Sequence, residues 1–429
     1  MTDLQHLPAT ELLELVRTGE VRTADVAESV LARVAEREPV LHAFAAVDVD
    51  LVRRQAAALD GALASGGAVG PLHGLPVGVK DLVDTADLPT TYGSPIYAGH
   101  QPAADAAVMR RLRSAGALLA GKTVTTEFAL FQPGPTTNPH DPGRTPGGSS
   151  SGSAAAVADV VVAAAIGTQT AGSVIRPAAF CGIVGFKPTF GAIDRSGVKL
   201  ISDTLDTVGL FARTVADARA VFAAVRDGGA APGAPGGAPT LALVRTGHWQ
   251  RAEPSTRDAI EHLAGRLARQ GLTVVDTELP AEYDRLVEAQ TVVMEVEVAR
   301  NLAREATDSP DLVSASALGV VERGRARSAQ EYDGARALAE ECRHHLPALL
   351  SGVDAVLTPA VLGEAPSGLG ATGDPLFCRA WTLLHCPAVS LPLLRSPHGL
   401  PVGVQLVAVP GADDRLLDVA ERVARAATG

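Results

Sequence analysis

Residues Gly147 to Pro188 read GGSSSGSAAAVADVVVAAAIGTQTAGSVIRPAAFCGIVGFKP, a segment that sets two serines, Ser149 and Ser173, on opposite sides of a small-residue apolar stretch. Side chains this small let backbone N–H groups close in on a reacting oxygen, and a hydroxyl in such a nest becomes a nucleophile once a base reaches it. The question the sequence poses is which residue supplies the base.

Histidine is the usual base for a serine, yet none lies in this segment, and His73, His140 and His385 sit in dissimilar contexts. Lysine is the other option. Lys80 closes the run PLHGLPVGVKD, in which Leu75, Val77 and Val79 alternate like a buried strand, so its amine emerges from an apolar wall. Burial disfavours the charged form and lowers a lysine pKa by up to ~3 to 5 units, enough to give a neutral amine near neutral pH. Taken alone, such a lysine more often serves an ion pair or a snorkelling role than a base.

Four separated motifs, VGVKD, GGSSSGSAAAVA, TQTAGSVIRPAAFCGIVGFKP and GLPVGVQLVA, together resemble the amidase signature family of Ser/cis-Ser/Lys hydrolases, over most of the chain. The TQT form, the arginine three residues after Ser173 and the WTLL segment from Trp381 to Leu384 are most similar to bacterial amidases of the malonamidase type. The resemblance implies an α/β fold, one large α/β/α domain spanning residues 1–429 in which helices cover a long mixed sheet. It makes Ser173 the acylated nucleophile, Ser149 the bridging serine after a cis Gly148–Ser149 bond, and Lys80 the general base. Gly147 and Gly148 suit that bend. Backbone N–H groups of Thr170, Ala171, Gly172 and Ser173 are expected to hold the oxyanion, with Arg176, Gly147, Gly148, Thr168 and Gln169 at the substrate. No metal and no organic cofactor are expected. Two positions depart from the commonest family form: Ala171 stands where glycine is usual and Gln169 where aspartate is frequent. An ordinary backbone angle at Ala171 is expected, because a left-handed one would cost an alanine about 1 kcal/mol.

Arg176 offers a bidentate partner for a substrate carboxylate, as in malonamidase-like enzymes, or a brace on backbone carbonyls. Trp381 reads as core. Asp206 and Arg213 also match family positions, and a salt bridge fixing their loop is the expectation. Asp81 either orients Lys80 or caps a turn.

Two other motifs compete. GALLAGKT, residues 116–123, fits the phosphate-loop pattern, but Ala107 to Ala115 reads as a helix that Gly116 ends, and the leucines after it read as strand. Lys122 is therefore expected to be structural. GSSSG, Gly148 to Gly152, fits a nucleophile elbow with Ser150 at its centre, but NPHDPGRTP before it is turn-rich and not the required strand.

A net charge of −11 argues against general nucleic-acid or anionic-membrane binding. Cys181, Cys342, Cys378 and Cys386 lack the spacing of a disulfide scaffold or zinc site, which fits a reducing cytoplasmic setting. The N-terminal stretch is amphipathic and acidic, unlike a secretory signal, and Val160 to Ile166 is too short to span a bilayer, so no membrane attachment is expected.

The first ~60 residues read as amphipathic helices packing on the body, with Leu12, Leu13 and Val16, then Val26, Val30 and Val34, at helical spacing. From Leu75 onward short apolar runs alternate with helical stretches, the pattern of a mixed or parallel sheet flanked by helices. Residues 227–239, DGGAAPGAPGGAP, read as a flexible loop within the domain, and VDAVLTPAV and GLPVGVQLVA are expected to return to the same sheet. The reading is an amidase with a small-molecule amide substrate, forming a homodimer like its relatives. Two alternatives stand beside it: the amidase subunit of a glutamine-dependent tRNA amidotransferase, and a catalytically silent binding protein.

Overall fold

Short segments, most of them apolar, form the strands: β1 Phe44–Ala46, β2 Pro76–Lys80, β3 Leu118–Thr123, β4 Ala164–Gln169, β5 Val184–Lys187, β6 Thr207–Ala212, β7 Thr240–Val244, β8 Thr273–Thr277, β9 Ala355–Pro359, β10 Ala388–Arg395 and β11 Pro401–Val407. The structure, a computed structural model, describes residues 4–67, 69–229 and 237–428. Its strands join in one 11-stranded sheet of order β1-β3-β2-β4-β6-β5-β10-β11-β9-β7-β8. The sheet is mixed. β2 runs parallel to β3 and β4, β7 runs parallel to β8 and β9, and the middle from β4 to β9 is antiparallel. Every residue of β2, β3, β4, β6 and β11 is buried, as expected of strands covered on both faces.

The C-terminal strands return to this sheet as the sequence indicates, with β11 between β10 and β9. The sequence alone does not announce β10. Pro392 lies within it, and its pairing with β11 shifts register between Leu391 and Leu394. The N-terminal helices Ala9–Thr18, Thr23–Leu41 and Val49–Ala64 pack on the body, with Leu12, Val16 and Val26 in the main apolar cluster. Helix Ala107–Ser114 ends ahead of Gly116, which has φ 83°, and β3 follows. The phosphate-loop reading is thereby excluded, since Leu118 to Thr123 is a buried strand. The 227–239 loop falls largely on residues 230–236, outside the described residues, and β7 starts at Thr240. Among the described residues no helix is long and apolar enough to cross a membrane.

The site is positioned by β2 and β4. These parallel neighbours, registered Val79 to Ile166, bring Lys80 and Thr168 to the same edge of the sheet at their carboxyl ends, where ligands bind in open parallel sheets.

Candidate active site

Three of the chain's four lysines, Lys80, Lys122 and Lys187, are completely buried, and their partners separate them. Lys122 Nζ lies 3.3 Å from the Asp81 carboxylate and donates to the Val83 carbonyl and Thr90 Oγ1. Lys187 donates to the carbonyls of Pro188 and Cys386. Each of these two is held in part by oxygens that only accept. Lys80 alone meets hydroxyls only, Ser149 Oγ at 2.7 Å and Thr168 Oγ1 at 2.8 Å. A hydroxyl can also donate, so Lys80 is the one buried lysine, among the described residues, whose partners all leave its uncharged amine able to receive a proton. Burial carries its pKa well below the ordinary 10.5, opposed by the Asp206 carboxylate.

Ser149 sits on a tightly braced turn ahead of helix Ser151–Ala158. The Gly148–Ser149 bond is cis, as the motif implies, and Gly147 has φ 82°, a left-handed angle that suits glycine. The carbonyls on either side are both pinned. Thr126 N donates to Ser149 O at 3.1 Å, and Arg176 donates to Gly148 O through Nε at 3.2 Å and Nη2 at 2.6 Å. Arg176 Nη1 reaches Gly373 O at 2.5 Å. Burial lowers the Arg176 pKa to about 10, so it remains a cation at neutral pH.

After β4 the chain turns through Thr170 to Val174 and enters helix Ile175–Cys181. Ala171 takes an ordinary backbone angle, since it is not among the residues with positive φ. Gly172 is needed for close approach: a Cβ there would stand 2.8 Å from Pro375 Cβ. The amides of Ala171, Gly172 and Ser173 donate to no acceptor among the described residues. Their direction is fixed from behind. Gln290 Nε2 donates to Thr170 O at 3.0 Å and Thr382 Oγ1 to Ala171 O at 2.9 Å. In a trans peptide the C=O and N–H point opposite ways, so pinning these carbonyls aims the Ala171 and Gly172 N–H groups away from helices Leu286–Asn301 and Leu376–Leu383, which carry Gln290 and Thr382. Thr382→Val removes one pin at near-constant volume and leaves Ala171 O buried and unpaired. The expected result is a roughly 10- to 100-fold lower kcat with little change in KM, measured on any turned-over amide.

Ser173 is 6% exposed, against 1% for Ser149 and none for Lys80. Its hydroxyl makes no hydrogen bond among the described residues. The structure thus forms the Lys80–Ser149 contact and leaves Ser149 to Ser173 open. Gln169 belongs to the scaffold: its Oε1 accepts from Val174 N and Ile175 N, and its Nε2 donates to Thr382 Oγ1. Thr168 faces Lys80.

The expected Asp206–Arg213 salt bridge is not formed. The two residues flank β6, which at about 3.3 Å per residue sets them roughly 20 Å apart. Asp206 instead accepts from Thr170 Oγ1, Ile201 N and Ser202 N, and burial raises its pKa to about 6. Arg213 donates to the Val162 and Leu7 carbonyls. Asp81 holds Lys122 and also accepts from Thr91, so it neither orients Lys80 nor only caps a turn. Ser150 Oγ donates to Thr168 O, and His140 Nε2 meets Cys181 O, so neither belongs to a serine–histidine pair. Trp381 is core. Sequence reasoning missed Thr126, Gln290 and Thr382, whose partners are far away in the chain.

A sequence profile described as Amidase matches residues 25–417. A glutamyl-tRNA(Gln) amidotransferase subunit from Salinispora arenicola is 34% identical, over 98% of this chain and 97% of its own. A solved structure described as a crystal structure of amidase superposes with a TM-score of 0.90 at 32% identity, covering 97% of this chain and 98% of that one. Native peptide amidase from Stenotrophomonas maltophilia does so with a TM-score of 0.85 at 27% identity, covering 99% and 97%.

Proposed function

We propose that this chain, which belongs to the amidase signature family, hydrolyses the C–N bond of a small carboxamide through an acyl-enzyme on Ser173. The observation that carries the reading is the buried Lys80 amine, held among the described residues only by the Ser149 and Thr168 hydroxyls. Neutral Lys80 takes the Ser149 proton while Ser149 Oγ takes the Ser173 proton, and Ser173 Oγ forms a bond to the substrate carbonyl carbon. The resulting oxyanion meets the unspent N–H groups of the 170–173 loop. As the C–N bond breaks, the proton returns through Ser149 to the leaving nitrogen, and ammonia or an amine departs. Water then gives its proton to the same relay, attacks the ester, and releases the acid. The Ser149 to Ser173 step closes when substrate fills the site, since hydrogen bonds of this kind tighten in the Michaelis complex.

Arg176 acts as a brace on the Gly148 and Gly373 carbonyls in this reading, and not as the ligand of a substrate carboxylate. Arg176→Ala is expected to lower kcat by roughly 10- to 100-fold on a neutral amide and on its carboxylate-bearing analogue alike. A KM rise confined to the carboxylate-bearing amide would restore the ligand role.

The second reading is the amidase component of a tRNA amidotransferase, favoured by the curated relatives that carry that name. Against it, the match to the Salinispora arenicola protein runs over 484 positions, more than the 429 residues of this chain, so that relative carries segments with no counterpart here. The test is ammonia release by the purified chain from a panel of primary carboxamides, with and without glutamine. Release from non-glutamine amides by the chain alone supports the free amidase. Activity limited to glutamine and dependent on a copurifying protein supports the amidotransferase component.

A further inference from the structure

Three arginines, Arg195, Arg336 and Arg343, line a cavity of about 230 Å³. None of the three forms an ion pair with a carboxylate among the described residues. Arg195 is spent on backbone carbonyls of Asp203 and Asp206 and lies 4.7 Å over the Phe190 ring. Arg343 donates Nη2 to Leu383 O, while its Nε is buried with no hydrogen-bond partner. Burial lowers the Arg343 pKa, and the positive charge of Arg336, exposed on helix Ala329–Leu349, adds to that lowering while Glu340 opposes it.

His385, stacked on Phe190 and 3.5 Å from Arg343 Nη2, has its pKa lowered to about 3, chiefly by burial and then by Arg343, with Lys187 and Arg195 adding to it. Two carboxylates also line the cavity, Asp203 and Glu340, and both are exposed without closing an ion pair to the arginines. Three guanidinium groups against these two carboxylates leave one net positive charge at the void, which a small anion between the arginines neutralises.

We propose that this cavity binds a small oxyanion, the phosphate or carboxylate group of a metabolite, between Arg195, Arg336 and Arg343. The proposal is independent of the amidase reading. The site borders the catalytic loop: Arg195 Nη1 donates to Asp206 O, and the Asp206 carboxylate accepts from Thr170 Oγ1.

The experiment is a thermal unfolding titration with inorganic phosphate and, separately, succinate, at ionic strength held constant with sodium chloride. Wild type is expected to show a saturable rise of the midpoint with at least one of the two, and the better binder identifies the head group. Arg336→Gln, on an exposed face, and Arg343→Gln are each expected to raise the half-saturating concentration roughly tenfold. If Arg343→Gln does not fold, Arg336→Gln decides. No saturable rise with either anion in wild type, or unchanged titrations in the variants that fold, overturns the proposal.

Discussion

Replacing Lys80 with methionine is expected to lower kcat by roughly 100- to 10,000-fold, the usual worth of a positioned general base, while the protein stays folded. Methionine fills the lysine stem's space in the wall formed by β2 and removes an amine that is costly to bury. What it cannot do is exchange a proton with Ser149 Oγ, 2.7 Å from the amine.

The pH profile separates this from a packing defect. Only the neutral amine accepts a proton, and burial puts its pKa well below 10.5, so wild-type kcat/KM rises with pH through one ionisation and then levels. The Asp206 carboxylate opposes that lowering. Removing its charge in Asp206→Asn therefore moves the rising limb to lower pH. The move is smallest where Asp206 itself is protonated, below about 6. In Lys80→Met the limb disappears. A limb that persists unchanged in Lys80→Met assigns the ionisation to another group.

Ser173→Ala carries the largest expected loss, roughly a million-fold in kcat, as when the nucleophile is removed from other acyl-transfer hydrolases. The serine hydroxyl makes no hydrogen bond among the described residues, so the alanine variant should keep its stability within about 1 kcal/mol. Substrate binding should survive, because the amides of Ala171 and Gly172 are unchanged, and isothermal titration with a non-hydrolysed amide measures it. Ser150→Ala serves as the contrast. Its hydroxyl bridges to the Thr168 backbone alone, donating to Thr168 O and accepting from Thr168 N among the described residues, so most of the activity should remain. A reversal of these two results would return the nucleophile-elbow reading.

How much of this was legible depends on sequence distance. β2 with Lys80 at its end, the helix-glycine-strand step at Gly116, and the cis turn before Ser149 are local, and residue size and periodicity or a short motif report them. The groups that pin the 170–173 loop are not local. Thr382 reaches Ala171 across 211 residues and Gln290 reaches Thr170 across 120, and a lone threonine or glutamine on an apolar helix carries no pattern that announces such a contact. Arg176 shows a different limit. Its spacing from Ser173 marked it as important, but only the position of the Gly148 carbonyl decides what its donors meet. The Asp206–Arg213 expectation failed on geometry available in principle, since β6 between them keeps their charges apart.

The relay from Lys80 through Ser149 to Ser173 is tested most directly by intact-protein mass after exposure to a fluorophosphonate, in wild type, Ser173→Ala and Lys80→Met. The expected result is one adduct in wild type, none in Ser173→Ala, and the same adduct formed at least roughly 100-fold more slowly in Lys80→Met. An adduct that persists in Ser173→Ala, or one that forms at the wild-type rate without Lys80, would contradict it.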